Sequence, residues 1–177
     1  IQKKTAKCPT CGSSYIAAFG IGTQKVEEYA KQEFPNARIL RMDGDTTVKK
    51  GEYSRILHHF NSGDADILIG TQMVVKGHDF ENVALVAAMA ADLSLNMNDF
   101  RSAERTFQLL YQAAGRAGRR KSTGEMIIQT YQPNHYSLEM VEKQDYEGFY
   151  EKELSYRKLL EYPPFGSILA CLLYTSD

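Results

Sequence analysis

The chain has 177 residues, is 43% hydrophobic and sets 21 Lys and Arg against 22 Asp and Glu, a formal net charge of −1 at pH 7. That apolar content excludes a disordered chain, and the balanced charge excludes a uniformly basic nucleic-acid binder, although basic groups gather locally at Lys3, Lys4 and Lys7, at Lys49 and Lys50, and from Arg116 to Lys121. No apolar run is long enough for a membrane span and no signal segment opens the sequence, which points to the cytoplasm.

In chain order, Cys8-Pro-Thr-Cys11-Gly12 comes first, a C-x-x-C knuckle that supplies two of the four ligands a structural zinc ion needs. Half of a zinc site completed by residues before Ile1 is the favoured reading; a redox pair or two unrelated thiols are the alternatives. Residues 15–19 form a strand candidate. A turn at Gly20-x-Gly22-Thr23 leads into a helix with Val26, Tyr29, Ala30 and Phe34 at helical spacing, stopped by Pro35-Asn36. Residues 37–42 read as a second strand, and Asp45, Thr46 or Thr47 can cap a helix carrying Tyr53, Ile56, Leu57 and Phe60. Asn61-Ser62-Gly63 ends it. A third strand at 65–70 is followed by the polar, glycine-bounded run Gly70-Thr-Gln-Met-Val-Val-Lys-Gly-His-Asp-Phe80, and a fourth strand is expected over 83–91. Residues 100–119 then form a helix with Ala103, Phe107, Leu110, Tyr111 and Ala114 inward, and a fifth strand follows at 125–131. Residues 135–161 read as one helical stretch up to Tyr162-Pro-Pro-Phe165, where paired prolines mark a boundary; residues 167–174 would open something else.

Apolar strands alternating with amphipathic helices describe a parallel sheet flanked by helices, an α/β domain whose ligands sit at the carboxyl ends of its strands. Within it, Gly20-x-Gly22 with Asp43 at the end of the second strand imitates a dinucleotide site, but Lys25 stands where a third small residue is required. A tight strand-to-helix turn suffices as its explanation.

The last helix carries Gln112-Ala-Ala-Gly-Arg-Ala-Gly-Arg119. Gln112, Arg116 and Arg119 fall on one stripe at i, i+4 and i+7, so their polar ends can converge on a phosphate. Gly115 and Gly118 lie beside that stripe, each costing a helix roughly 1 kcal/mol relative to alanine. Favourable cations at a helix C-terminus account for the arginines alone, but not for the glycines. No G-x-x-x-x-G-K-[ST] loop occurs in the sequence, so an arginine pair aimed at a triphosphate needs a partner surface to hold it. Thr71 and Gln72 can donate to a phosphate backbone, or simply cap the next turn.

The runs Arg41-Met-Asp-Gly-Asp-Thr-Thr47, Gly70 to Phe80, Ser102-Ala-Glu-Arg-Thr-Phe-Gln-Leu-Leu110 and Gln112 to Arg119 together resemble the second RecA-like lobe of superfamily 2 helicases. More narrowly the chain resembles the primosomal replication-restart helicases, which share the Cys8 knuckle and the Tyr162-Pro-Pro-Phe165 junction in the same order. The resemblance implies a RecA-like α/β lobe over 13–134, the end of a zinc-binding insertion at 1–12, a helical extension at 135–162 and the start of a further, truncated domain at 163–177. It implies arginine fingers at Arg116 and Arg119, nucleotide contacts from Gln112, Gly77 and Asp79, and DNA-backbone contacts from Thr71, Gln72 and Lys76. Cys8 and Cys11 would close a zinc site. Implied cofactors are ATP, Mg²⁺ held by a first lobe, and Zn²⁺; implied partners are forked or single-stranded DNA, primosome proteins and single-stranded-DNA-binding protein. The family's P-loop, acidic magnesium motif and other cysteines have no counterpart here, so the chain alone should be inactive. A non-catalytic, zinc-containing nucleic-acid-binding module is the rival expectation.

Overall fold

A computed structural model describes residues 11–13, 22–47, 51–75, 80, 82–117 and 124–169. The strand expected at 15–19 lies outside them. Helix α1 (Thr23–Glu33) leads to strand β1 (Ile39–Met42), helix α2 (Glu52–Asn61) and strand β2 (Ile67–Gly70). β1 and β2 pair in parallel with Met42 opposite Gly70, the arrangement a helical crossover imposes. Buried Met42, Ile56, Leu57 and Phe80 form the core of this half. Phe80 meets Phe60 edge-on at 5.2 Å.

α2 does not start as expected. Its N-cap is Gly51 at φ 92°, a left-handed conformation that favours glycine. Asp45, Thr46 and Thr47 are engaged elsewhere, bonding to Asp43 through backbone or hydroxyl groups.

The second half comprises strand β3 (Leu85–Ala88), helices α3 (Asp92–Leu95) and α4 (Ser102–Ala114), strand β4 (Glu125–Ile128), and helices α5 (Tyr136–Glu142) and α6 (Tyr146–Leu159). β3 and β4 form a second parallel pair, so the described strands make two ladders rather than one continuous sheet. Both alternate in burial, with Leu85 and Ile127 about half exposed on one face. Ala88, Met126 and Ile128 pack on a core of Ala91, Leu95, Phe107, Leu110, Leu138, Met140, Val141 and Phe149. Phe107 is stacked on Phe149 with ring centroids 3.9 Å apart. The hydroxyl of Thr106 of α4, fully buried, lies 2.8 Å from both Ser102 O and Ser94 Oγ, which ties α4 to α3.

The single helix expected over 135–161 is two. Gln144 adopts φ 52°, and Asp145 accepts a hydrogen bond from Gly148 N at 2.8 Å to cap the new helix α6. α4 is likewise shorter than expected. Beyond Ala114 the chain continues with i→i−3 bonds, Arg116 N to Ala113 O at 3.0 Å and Ala117 N to Ala114 O at 3.3 Å. Residues 167–169 carry no strand.

The open ends of β1 and β2 are tied by Arg38 and Asp66. The guanidinium and backbone N–H of Arg38 both donate to this carboxylate, holding its pKa at about 2 against an ordinary 3.8. A depressed folded-state pKa stabilises above the unfolded value, and that contribution is lost as pH falls towards the folded one. Acid titration of the denaturation midpoint should therefore fall between about pH 4 and 2, and more shallowly in Asp66→Asn. Identical acid limbs would show that this pair contributes nothing.

Candidate functional site

Asp43 closes β1 and is 5% exposed. Its carboxylate accepts from Thr23 Oγ1 of α1, from the Arg41 guanidinium and from the backbone N–H groups of Asp45 and Thr46. The Thr23 hydroxyl contributes most to keeping this carboxyl below its ordinary range, against the opposing effect of burial. Arg41 also pairs with Glu27 at 2.9 Å. Every strong acceptor direction is taken up within the fold, which explains the polar residues of this loop as a brace between α1 and β1.

At the end of β2 the backbone is crowded. A Cβ on Gly70 would lie 2.5 Å from the carbonyl oxygen of Met42 and against the Val74 side chain. Thr71 follows in extended conformation and a single 3₁₀ turn spans Gln72–Val74. The turn closes through the Thr71 carbonyl, which accepts from Val74 N at 3.1 Å. The Thr71 side chain makes no capping bond, so the capping alternative for it does not hold. Thr71 and Gln72 are exposed.

Gln72 faces α4. A groove of about 360 Å³ is lined by Gln72 on one side and by Ser102, Arg105, Gln108 and Gln112 of α4 on the other, with Ser94 and Met97 beside them. Two residues from separate sequence motifs, Gln72 and Gln112, thus share one surface. Arg105 was not singled out from the sequence; it lies at i−7 from Gln112 on the same stripe, which could have been read backwards. Asp99 pairs with Arg105 at 2.8 Å and with Arg101, whose backbone N–H contributes most to holding that carboxyl low. Arg116 sits half-buried in the turn after α4. Because that turn is not α-helical, the i, i+4, i+7 stripe does not extend through Arg116 as drawn. Among the described residues, a Cβ on Gly115 would make only ordinary contacts with carbonyls of its own helix, at 3.6 and 3.7 Å.

Lys76, Gly77, Asp79, Arg119 and Cys8 lie outside the described residues. Cys11 is exposed as a free thiol, and no group of three or more His, Cys, Asp or Glu among the described residues could hold a metal ion. No helix among them is long and apolar enough to cross a membrane.

Residues 13–121 match the model of the helicase conserved C-terminal domain. The chain belongs to that family. The match takes in β1 to α4 and the turn bearing Arg116, so the helicase C-terminal domain contains both walls of the groove. The chain is 52% identical over 158 residues to the replication restart protein PriA of Bacillus subtilis (strain 168), covering 89% of this chain and 20% of that protein. It is 50% identical over 174 residues to replication restart protein PriA of Synechocystis, covering 97% of this chain and 21% of that protein. A third such protein, from Chlamydia pneumoniae, is 43% identical over 166 residues, 93% of this chain and 22% of its own length. The chain spans about a fifth of the length of these curated relatives. The resemblance read from the four motifs is therefore shown, and the α/β class with it. Likeness to PriA extends past the helicase C-terminal domain through α5 and α6, since it covers 97% of the chain.

Proposed function

We propose that this chain is the C-terminal motor lobe of an ATP-dependent 3′-to-5′ DNA helicase that acts in the cytoplasm in replication restart. The family match supports this reading, and the shared groove of Gln72 and Gln112 carries it furthest, because it joins a strand-end loop suited to nucleic acid to the helix that leads into the arginines.

In this reading Gln112, Arg116 and Arg119 face the γ-phosphate of ATP held with Mg²⁺ on a first lobe outside this chain. Bound there, ATP provides the phosphoryl group whose transfer to water drives the motor. Arg116 and Arg119 donate to its oxygens as negative charge spreads over them. Gly77 and Asp79 complete the nucleotide contacts. Thr71, Gln72 and Lys76 grip phosphates of one DNA strand, so movement is indifferent to base sequence. The lobes close on ATP and part after hydrolysis, which carries that grip along the strand. Cys8 and Cys11 offer thiolates suited to zinc, two of a closed set of four. Other primosome proteins and single-stranded-DNA-binding protein are the proposed partners.

The isolated chain distinguishes half a motor from a self-sufficient binding module. Fluorescence anisotropy with single-stranded DNA should give weak binding with a shallow salt dependence, and no ATP turnover. Tight binding that weakens about 10³-fold between 50 and 200 mM salt would favour the binding module instead.

A further inference from the structure

We infer that Arg157 of α6 is a positioning residue for the arginine-bearing end of α4, an inference that rests on the motor reading above. Its guanidinium uses all three nitrogens: Nη2 donates to Glu104 Oε2 at 2.7 Å, Nε to Glu153 Oε1 at 2.8 Å, and Nη1 to the Pro163 carbonyl at 3.3 Å. The group also lies over the Phe100 ring, 5.3 Å from its centroid. It is well covered, with 14% of the Arg157 side chain exposed and 10% of Glu153. Tyr136 of α5 donates its hydroxyl to the second oxygen of Glu153. One side chain thereby joins α4, α6 and the Tyr162-Pro163 junction.

Glu104 passes this constraint along α4. Its other oxygen accepts from Gln108 Nε2 at 3.1 Å, and Gln108 lines the groove together with Gln112. Glu104, Gln108 and Gln112 stand at i, i+4 and i+8, one face of the helix. Holding Glu104 from outside fixes the roll of that face, and so the direction in which Gln112 and the following Arg116 project. A covered ion bridge of this kind adds little net stability, because desolvation offsets its attraction; what it secures is geometry. A lysine has no planar fork to reach three acceptors at once.

The test uses the full-length protein and its ATP turnover in the presence of single-stranded DNA. Glu104→Gln and Arg157→Met should each lower kcat about 10-fold, with KM for ATP changed less than about twofold. The double variant should be no slower than either single, as expected for two groups acting as one unit; the thermal midpoint of Glu104→Gln should move by less than about 4 °C, whereas Arg157→Met, which strands the Glu153 carboxylate, should lower its midpoint further. Wild-type kcat in both singles, or losses that multiply in the double, would overturn the inference. Should Arg157→Met fail to fold, Glu104→Gln decides alone, since it is nearly isosteric. Arg116→Ala runs beside them: if it retains full turnover, the motor reading itself fails, whereas its inactivity with normal singles defeats only the positioning role.

Discussion

We expect that replacing Arg119 by alanine in the full-length protein will lower ATP turnover by about 10³-fold while single-stranded DNA still binds. That factor corresponds to roughly 4 kcal/mol of transition-state stabilisation, the size of effect a pre-positioned cation exerts on a transferring phosphoryl group. The loss should fall on kcat, because in the proposed role the charge that Arg119 meets is fully developed only during transfer. Arg116→Ala should behave similarly. Its backbone is held by the bond to Ala113 O, so truncating the side chain removes the guanidinium without releasing the turn. Lysine at either position should restore little, since a point charge does not reproduce the bidentate fork. Steady-state kinetics paired with a DNA-binding measurement decide the matter, and near-normal turnover in Arg119→Ala would sink the assignment of motor chemistry.

Gly70→Ala produces the second large effect. The added methyl would sit 2.5 Å from the Met42 carbonyl, and both residues belong to the β1–β2 ladder, where Met42 stands opposite Gly70. The Val74 side chain can turn away, but a ladder carbonyl cannot. The end of β2 must shift, at a cost of about 1–3 kcal/mol, and it takes Thr71 and Gln72 with it. We expect a lower denaturation midpoint together with at least about a 10-fold loss of DNA-stimulated ATP turnover. Gly44→Ala is the matched control, because a Cβ there meets no atom of the described residues within 4 Å. It should remain within about 0.5 kcal/mol of wild type. Equal midpoints for the two variants would mean that the crowding at Gly70 is relieved without moving the strand.

Local periodicity made α2 legible: Ile56 and Leu57 are buried, with Tyr53 and Phe60 packed beside them. For α4 it came within one position. Phe107 and Leu110 are buried as expected, but Tyr111 is 37% exposed while Thr106 and Ala113 lie inside. The buried stripe is turned slightly because Thr106 finds Ser94 as a hydrogen-bond partner, which frees a polar residue to face inward. α1 shows the limit of the same reasoning. Its spacing is helical, yet it has no buried residue and Tyr29 is 49% exposed. Spacing predicts the helix and the face, not how much covers that face.

The misses share a cause. Asp43 draws Asp45, Thr46 and Thr47 into its own shell, and only the fold brings Thr23 to it across 20 residues. The break at Gln144 depends on one residue at φ 52°, although Asp145 with Gly148 three residues on was a readable cap. At the site, Gln72 and Gln112 stood out in their own motifs, but their common groove arises from packing between elements 40 positions apart in the chain. The 53-residue span between Glu104 and Arg157 is equally silent in any local pattern.

The core around Phe107 has a consequence for where this unit can be divided. Leu138, Met140, Val141 and Phe149 supply half of its buried members, and all four come after residue 121, where the family match ends. A cut placed there would strip the covering from Phe107 and Leu110 and leave the helix that leads to the arginines with a wet underside. The helicase C-terminal domain match and the folding unit therefore have different edges.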